Sequence, residues 1–151
     1  MMRRLAIDSQ FGHLTLSEED GKIVALIWGG RAMGKSSPAL AEARKQLLEY
    51  LSGHRRAFDL PLAPAGSPTE LRVWRLMAEI PYGETRSYGD LGKDLALSPR
   101  VVGHHCGTNP LPIFIPCHRV IGSDGRLGGY SGGEGAETKR RLLQLEHALL
   151  L

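Results

Sequence analysis

The chain has 151 residues, 42% of them apolar, enough for one compact unit or for two small lobes sharing a core. No run of about 18 apolar residues occurs, and Met1-Met2-Arg3-Arg4-Leu5 turns polar at Asp8; both argue against a membrane span or a signal peptide, and a cytoplasmic protein is expected. The formal charge of +3 suits a nucleic-acid partner without specifying one. The two cysteines, Cys106 and Cys117, are too few for a disulfide framework. His104, His105 and His118 lie near them, but neither CxxC nor HxxxH spacing supports a metal site, and none is expected.

In chain order, His13 to Leu16 alternates apolar and polar, and Ile23 to Trp28 is an apolar run. Glu18-Glu19-Asp20-Gly21 between them is a turn signal, so a hairpin is predicted. A glycine- and serine-rich loop spans residues 29–37. Pro38 then opens a helix with Leu40, Leu47, Leu48 and Leu51 on one face, closed by Gly53. Residues 54–66, with Pro61 and Pro64, read as a linker ending in an extended segment. The first 65 residues thus form a small β-rich lobe with one or two helices.

Residues 66–151 read as a second, mostly helical lobe, giving an α/β (α+β) chain overall. Ser67-Pro68-Thr69-Glu70 is a capping box with proline at the first helical position. Leu71, Trp74, Met77 and Ala78 are its expected buried face, and Pro81-Tyr82-Gly83 its stop. Ser87 caps the next helix, with Asp90 in its first turn and Leu91 and Leu95 facing inward. After Ala96-Leu97-Ser98, Ser98-Pro99 starts another helix, which Asn109-Pro110 ends. Two short helices around a three-residue turn form a helix-turn-helix pattern, which generic helical hairpins also resemble. Leu111 to Ile115 is an apolar stretch between prolines, followed by Pro116-Cys117-His118-Arg119-Val120-Ile121. Ser123-Asp124-Gly125 is a turn, residues 128–133 form a glycine-rich loop, and a last helix is expected from about Ala136 to Leu149.

That last helix carries a chemical clue. Leu142, Leu143, Leu149 and Leu150 form its apolar stripe, and helical spacing sets Glu146 in the stripe's middle, or at its edge where it reaches water. A buried carboxylate needs donors, and a histidine beside a cysteine could supply them. Cys117 is either an inert core thiol or a nucleophile. Pro116 stiffens its backbone, and the cationic His118 and Arg119 beside it would lower a thiol pKa. Cys117, His118 and Glu146 would then serve as nucleophile, base and orienting carboxylate, with water bridging the first two. The loop over residues 128–133 lacks a P-loop ending. Tyr130 and Ser131, set among its glycines, suit a flat base better than a phosphate.

Pro116-Cys117-His118-Arg119-Val120, with Asn109-Pro110 and Pro112-Ile113 before it, resembles the active-site signature of the O6-alkylguanine-DNA alkyltransferases. Val73-Trp74, residues 80–85, Ser87-Tyr88, residues 128–133, Lys139, residues 142–146 and residues 58–62 of the linker match as well, so the resemblance covers nearly the whole chain. It implies a ribonuclease H-like first lobe and a second lobe that binds double-stranded DNA through the minor groove. The implied activity is irreversible, self-inactivating transfer of an alkyl group from O6-alkylguanine to Cys117 after base flipping, without a cofactor or a required protein partner. In a bacterium such a protein would be nucleoid-associated.

Residue by residue, the resemblance makes Arg100 the finger that fills the gap left by the extruded base, with Ser98, Val101, Gly103 and His104 as further DNA contacts. Tyr88 would pair with the base and protonate the departing guanine, and Lys139 would hold the Tyr88 hydroxyl. Asn109 would brace the active-site turn. Pro112, Cys106, Val120, Gly128, Tyr130 and Ser131 would line the base pocket, the Cys117 and Val120 carbonyls accepting the exocyclic amine. The chain departs from the family in its second motif helix, where Val101, His104 and His105 are bulkier than usual. It departs again at Cys106, where larger apolar residues are common, and at Thr69-Glu70. Three other readings compete: a non-covalent sensor of alkylated bases, a cysteine hydrolase using Cys117, His118 and Glu146, and a helix-turn-helix regulator with an incidental cysteine. Relatives of the sensor type lack the cysteine.

Overall fold

The computed structural model describes residues 1–148. The chain divides into two compact units, Met1–Ala65 and Gly66 onward. In the first, strands β1 (Met2–Ser9), β2 (Gly12–Glu19) and β3 (Lys22–Trp28) form an antiparallel sheet in the order β1-β2-β3, covered by helix α1 (Pro38–Leu51). The predicted hairpin is β2–β3. The sequence reading lacked β1, because Arg3 and Arg4 break its apolar pattern; Leu5 and Ile7 take their places by pairing with Leu16 and Leu14. As the central strand, β2 buries Leu14, Thr15, Leu16 and Ser17 in succession, and the Thr15 hydroxyl donates to the Gly29 carbonyl at 2.6 Å. The core is Leu14, Leu16, Ile23 and Leu26 against Leu40, Leu47 and Leu51, with Leu48 only half-buried. The segment after α1 does extend, and Leu62 bridges Ile23.

The second unit is mainly helical: α2 (Pro68–Ala78), α3 (Tyr88–Leu95), α4 (Pro99–Gly107) and α5 (Ala136–Leu145). Its two short strands, β4 (Arg86–Ser87) and β5 (Val120–Ile121), pair in parallel. Capping boxes start α2 at Ser67/Glu70 and α3 at Ser87/Asp90, and Ser98 caps α4. The buried face of α2 is Val73, Trp74 and Met77; Ala78 is exposed and Leu71 half-buried, so the register is turned from the expected one. The Trp74 indole donates to the His105 carbonyl at 2.8 Å, and Glu70 accepts from the Thr108 hydroxyl at 2.5 Å. Both bonds pin α2 to the end of α4, so the departure at Glu70 serves helix packing.

The turn between α3 and α4 is tight. Ala96 adopts a left-handed conformation, and Leu97 N–H donates to the Gly92 carbonyl at 2.9 Å. A Cβ at Gly92 would lie 2.4 Å from the Leu97 carbonyl oxygen, a backbone atom that cannot step aside. Gly92→Ala is therefore expected to cost roughly 1–3 kcal/mol, read as a lowered Tm.

The last helix stops at Leu145. Glu146 is its C-cap and His147 takes φ +60°, so the helix is shorter than expected and turns Glu146 back into the unit. Leu142 and Leu143 are buried; Leu149 and Leu150, the rest of the anticipated stripe, lie outside the described residues. Among the described residues, no helix is long and apolar enough to cross a membrane.

Candidate active site

The approach to Cys117 is a braced turn. The Asn109 side chain accepts from Leu111 N–H at 2.9 Å and donates to the Ile115 carbonyl at 2.8 Å, closing the loop between them. Inside that loop Ile113 has φ +74°, a costly conformation for a β-branched residue, which the buried surroundings and the Asn109 brace hold in place. Cys117 N–H then donates to the same Ile115 carbonyl at 2.8 Å. Cys117–Arg119 form one 3₁₀ turn. Cys117 is 7% exposed.

That turn sets His118 and Arg119 onto Glu146. His118 Nε2 meets Glu146 Oε2 at 2.8 Å; Arg119 Nε meets Oε1 and Nη2 meets Oε2, each at 2.9 Å, while Arg119 Nη1 donates to the Ile80 carbonyl at 2.6 Å. Glu146 is thus the buried, partnered carboxylate, at 1% exposure. Burial alone would push its carboxyl up, but the donors from His118 and Arg119 hold it down at about 2. An ionised carboxylate only accepts, so His118 carries its proton on Nε2 and presents Nδ1 as the basic nitrogen. Burial lowers the His118 pKa against the pull of Glu146, and Arg119 supplies the counter-charge that lets the ring stay neutral. The bidentate clamp by Arg119 was missed from sequence, where Arg119 counted only as a cation beside the thiol. The expected lowering of the Cys117 pKa is also corrected. Burial pushes the thiol up, and the Asn109 side chain, Lys139 and a backbone hydrogen bond pull it down without offsetting it.

Lys139, fully buried in α5, donates to the Val120 carbonyl at 2.6 Å, the Gly129 carbonyl at 3.2 Å and the Tyr88 hydroxyl at 3.2 Å. Desolvation lowers its pKa to about 8, while burial and the nearby cysteines raise that of Tyr88 to about 12. Tyr88 therefore keeps its proton, and because Lys139 fills the oxygen's acceptor side, that proton can be given elsewhere. Gly128 packs on this tyrosine: a Cβ there would lie 2.9 Å from the hydroxyl.

A cavity of about 630 Å³ opens above Cys117. Of the sequence-predicted residues, Tyr88, Arg100, Gly103, Cys106, Cys117, Tyr130 and Ser131 line it. Pro112, Val120 and Gly128 do not, whereas Pro99, Gly107 and Gly129, which were not anticipated, do. Val120 is buried, and its carbonyl is engaged by Lys139. The Cys117 carbonyl already accepts from Val120 N–H, so neither expected amine acceptor is idle. Arg100, Val101 and His104 are exposed along α4, and Ser98 Oγ serves as its N-cap, accepting from Val101 N–H.

Cys117 thus lines a cavity together with the second helix of a helix-turn-helix, and the residue after it is a histidine paired with a buried carboxylate. Residues 2–64 match the ribonuclease-like domain, and residues 68–148 the DNA binding domain, of 6-O-methylguanine DNA methyltransferase; the chain belongs to this family. The constitutive methylated-DNA–protein-cysteine methyltransferase of Bacillus subtilis is 40% identical over 92% of both chains. The crystal structure of Mycobacterium tuberculosis OGT in complex with DNA is similar at TM-score 0.85 and 39% identity, covering 96% of this chain and 92% of that one. An O6-methylguanine-DNA methyltransferase from Pyrococcus kodakaraensis matches at TM-score 0.58 and 25% identity, over 97% and 99%.

Proposed function

We propose that this protein repairs DNA by direct reversal, moving an alkyl group from the O6 atom of a flipped guanine onto Cys117. The observation that carries this reading is the buried His118–Glu146 contact at 2.8 Å, set one residue from a cysteine that lines a cavity together with α4. Glu146 fixes the His118 tautomer, and Nδ1 draws the Cys117 proton through a water. The thiolate attacks the alkyl carbon in line. The sulfur–carbon bond forms as the carbon–O6 bond breaks, and the electron pair of that bond goes to the guanine. Tyr88 protonates the leaving base, so that overall one proton passes from thiol to guanine. Arg100 occupies the gap in the duplex, which offsets part of the few kcal/mol that extrusion costs. Because thiol exchange cannot reverse a thioether, one molecule repairs one lesion.

Intact-mass spectrometry after mixing with duplex DNA containing O6-methylguanine tests the reading. One added CH2, mapped to Cys117, is expected; tight lesion binding without an adduct would instead indicate a sensor. Tyr88→Phe removes the proton donor and is expected to slow single-turnover transfer about 10²-fold, the usual contribution of a general acid, with the adduct still forming on Cys117.

A further inference from the structure

We infer that Cys106 sets the size limit for the alkyl group this protein accepts, leaving room beside the acceptor sulfur for substituents much larger than methyl. The inference rests on the proposed transfer to Cys117. Gly103, Cys106 and Gly107 stand three and four residues apart, so they share one face of α4, and all three line the cavity that Cys117 also lines. This wall is nearly free of side chains. A Cβ at Gly107, or at Gly129 of the glycine-rich loop, would meet no atom within 4 Å, and one at Gly103 would only reach ordinary contact with the Tyr88 ring at 3.7 Å. Pro99 and Arg100 stand at the start of that face, and between its glycines the side chain is Cys106, whose sulfur is turned back onto Met77 Sδ at 3.3 Å.

Behind Cys106 lies buried core, with Met77 in contact with its sulfur. Met77 and Val102 are fully buried, and packed interiors do not absorb added methylenes. Any longer side chain at position 106 must extend into the cavity. With cysteine there, the space of about 630 Å³ falls mid-range for sites that hold drug-sized ligands, roughly 300–1,000 Å³. A benzyl group is a suitable probe, because its reactive carbon is a methylene open to in-line attack. The balance is that of methyl transfer: the Cys117 sulfur–benzylic carbon bond forms, the carbon–O6 bond breaks, and the thiol proton ends on guanine.

The test compares single-turnover rates on duplexes carrying O6-methylguanine or O6-benzylguanine for the wild type, Cys106→Met, Cys106→Val and Cys106→Ala. Each rate is normalised to the fraction of protein that methylated duplex can titrate. The benzyl-to-methyl ratio should fall roughly 10-fold or more in Cys106→Met, the discrimination a filled apolar pocket delivers. It should fall less in Cys106→Val and hold or rise in Cys106→Ala. An unchanged ratio in both larger variants overturns the inference, as does a fall in Cys106→Ala matching that of Cys106→Met. If the wild type takes methyl but refuses benzyl, the inference fails and the proposed function stands. If it takes neither, both fail.

Discussion

Cys117→Ser should abolish alkyl transfer while leaving duplex binding close to that of the wild type. Serine nearly matches cysteine in shape, so the braced turn and the cavity should survive at a position only 7% exposed. What is lost is the nucleophile. Even with its pKa raised by burial, a thiol can be ionised by a neutral imidazole; a buried hydroxyl is a far weaker acid and its oxygen a poorer nucleophile toward saturated carbon. The exposed residues Arg100, Val101 and His104, proposed to meet the DNA, lie on α4 and are untouched by the substitution. Intact mass should show no adduct, while a gel-shift titration should show retained affinity for lesion-bearing duplex. An adduct on the serine variant would refute the assignment of the acceptor. Loss of binding together with transfer would mean that the sulfur also supports the fold.

The second large effect is expected at Glu146. Glu146→Gln keeps the shape but replaces an acceptor oxygen by a donor that must face Arg119 or His118. Arg119 is then left buried with its charge uncompensated. Breaking a buried pair in this way costs roughly 3–5 kcal/mol, which for a chain of this size lowers Tm by on the order of 10 °C. Transfer should slow as well, because nothing then holds the proton on His118 Nε2. The acid limb of stability carries the same information. The folded carboxyl titrates at about 2, below its ordinary value of 4.5, so its contribution is complete above about pH 4.5 and is lost as pH falls through about 2. The wild-type Tm should drop steeply across that window, and the glutamine variant should lose that part of the slope. Equal slopes would mean that Glu146 is not the carboxylate that the fold depends on.

The pairing of His118 with Glu146 was legible because one carboxylate interrupts a leucine-rich helical stretch, and such a group must find donors. The helix-turn-helix was legible because its punctuation is local: Ser87 with Asp90, the turn at residues 96–98, and Ser98 before Pro99. Strand β1 was not, since Arg3 and Arg4 break its pattern and only non-local pairing with β2 makes it a strand. Periodicity also overran the last helix. The left-handed His147 that ends it answers to the tertiary demand of bringing Glu146 to Arg119, which no local propensity records. Adjacency misled at Cys117 as well. His118 and Arg119 neighbour the thiol in sequence, but a 3₁₀ turn sets both on Glu146, and the cation that acts on the sulfur is Lys139, from another helix. Gly107 and Gly129 shape the cavity by what they lack, and a sequence pattern does not register empty space.

The burial of Cys117 bears on how the protein waits. A reagent that is spent in one use loses capacity to every stray encounter, and soluble alkylating agents and peroxides attack thiolates that are exposed and ionised. Here Cys117 is 7% exposed and burial holds the proton on its sulfur, so the idle protein should react sluggishly with a small probe such as iodoacetamide. Its shelf life is then set by how seldom that sulfur is uncovered, and its working speed by what an inserted base does to the same thiol.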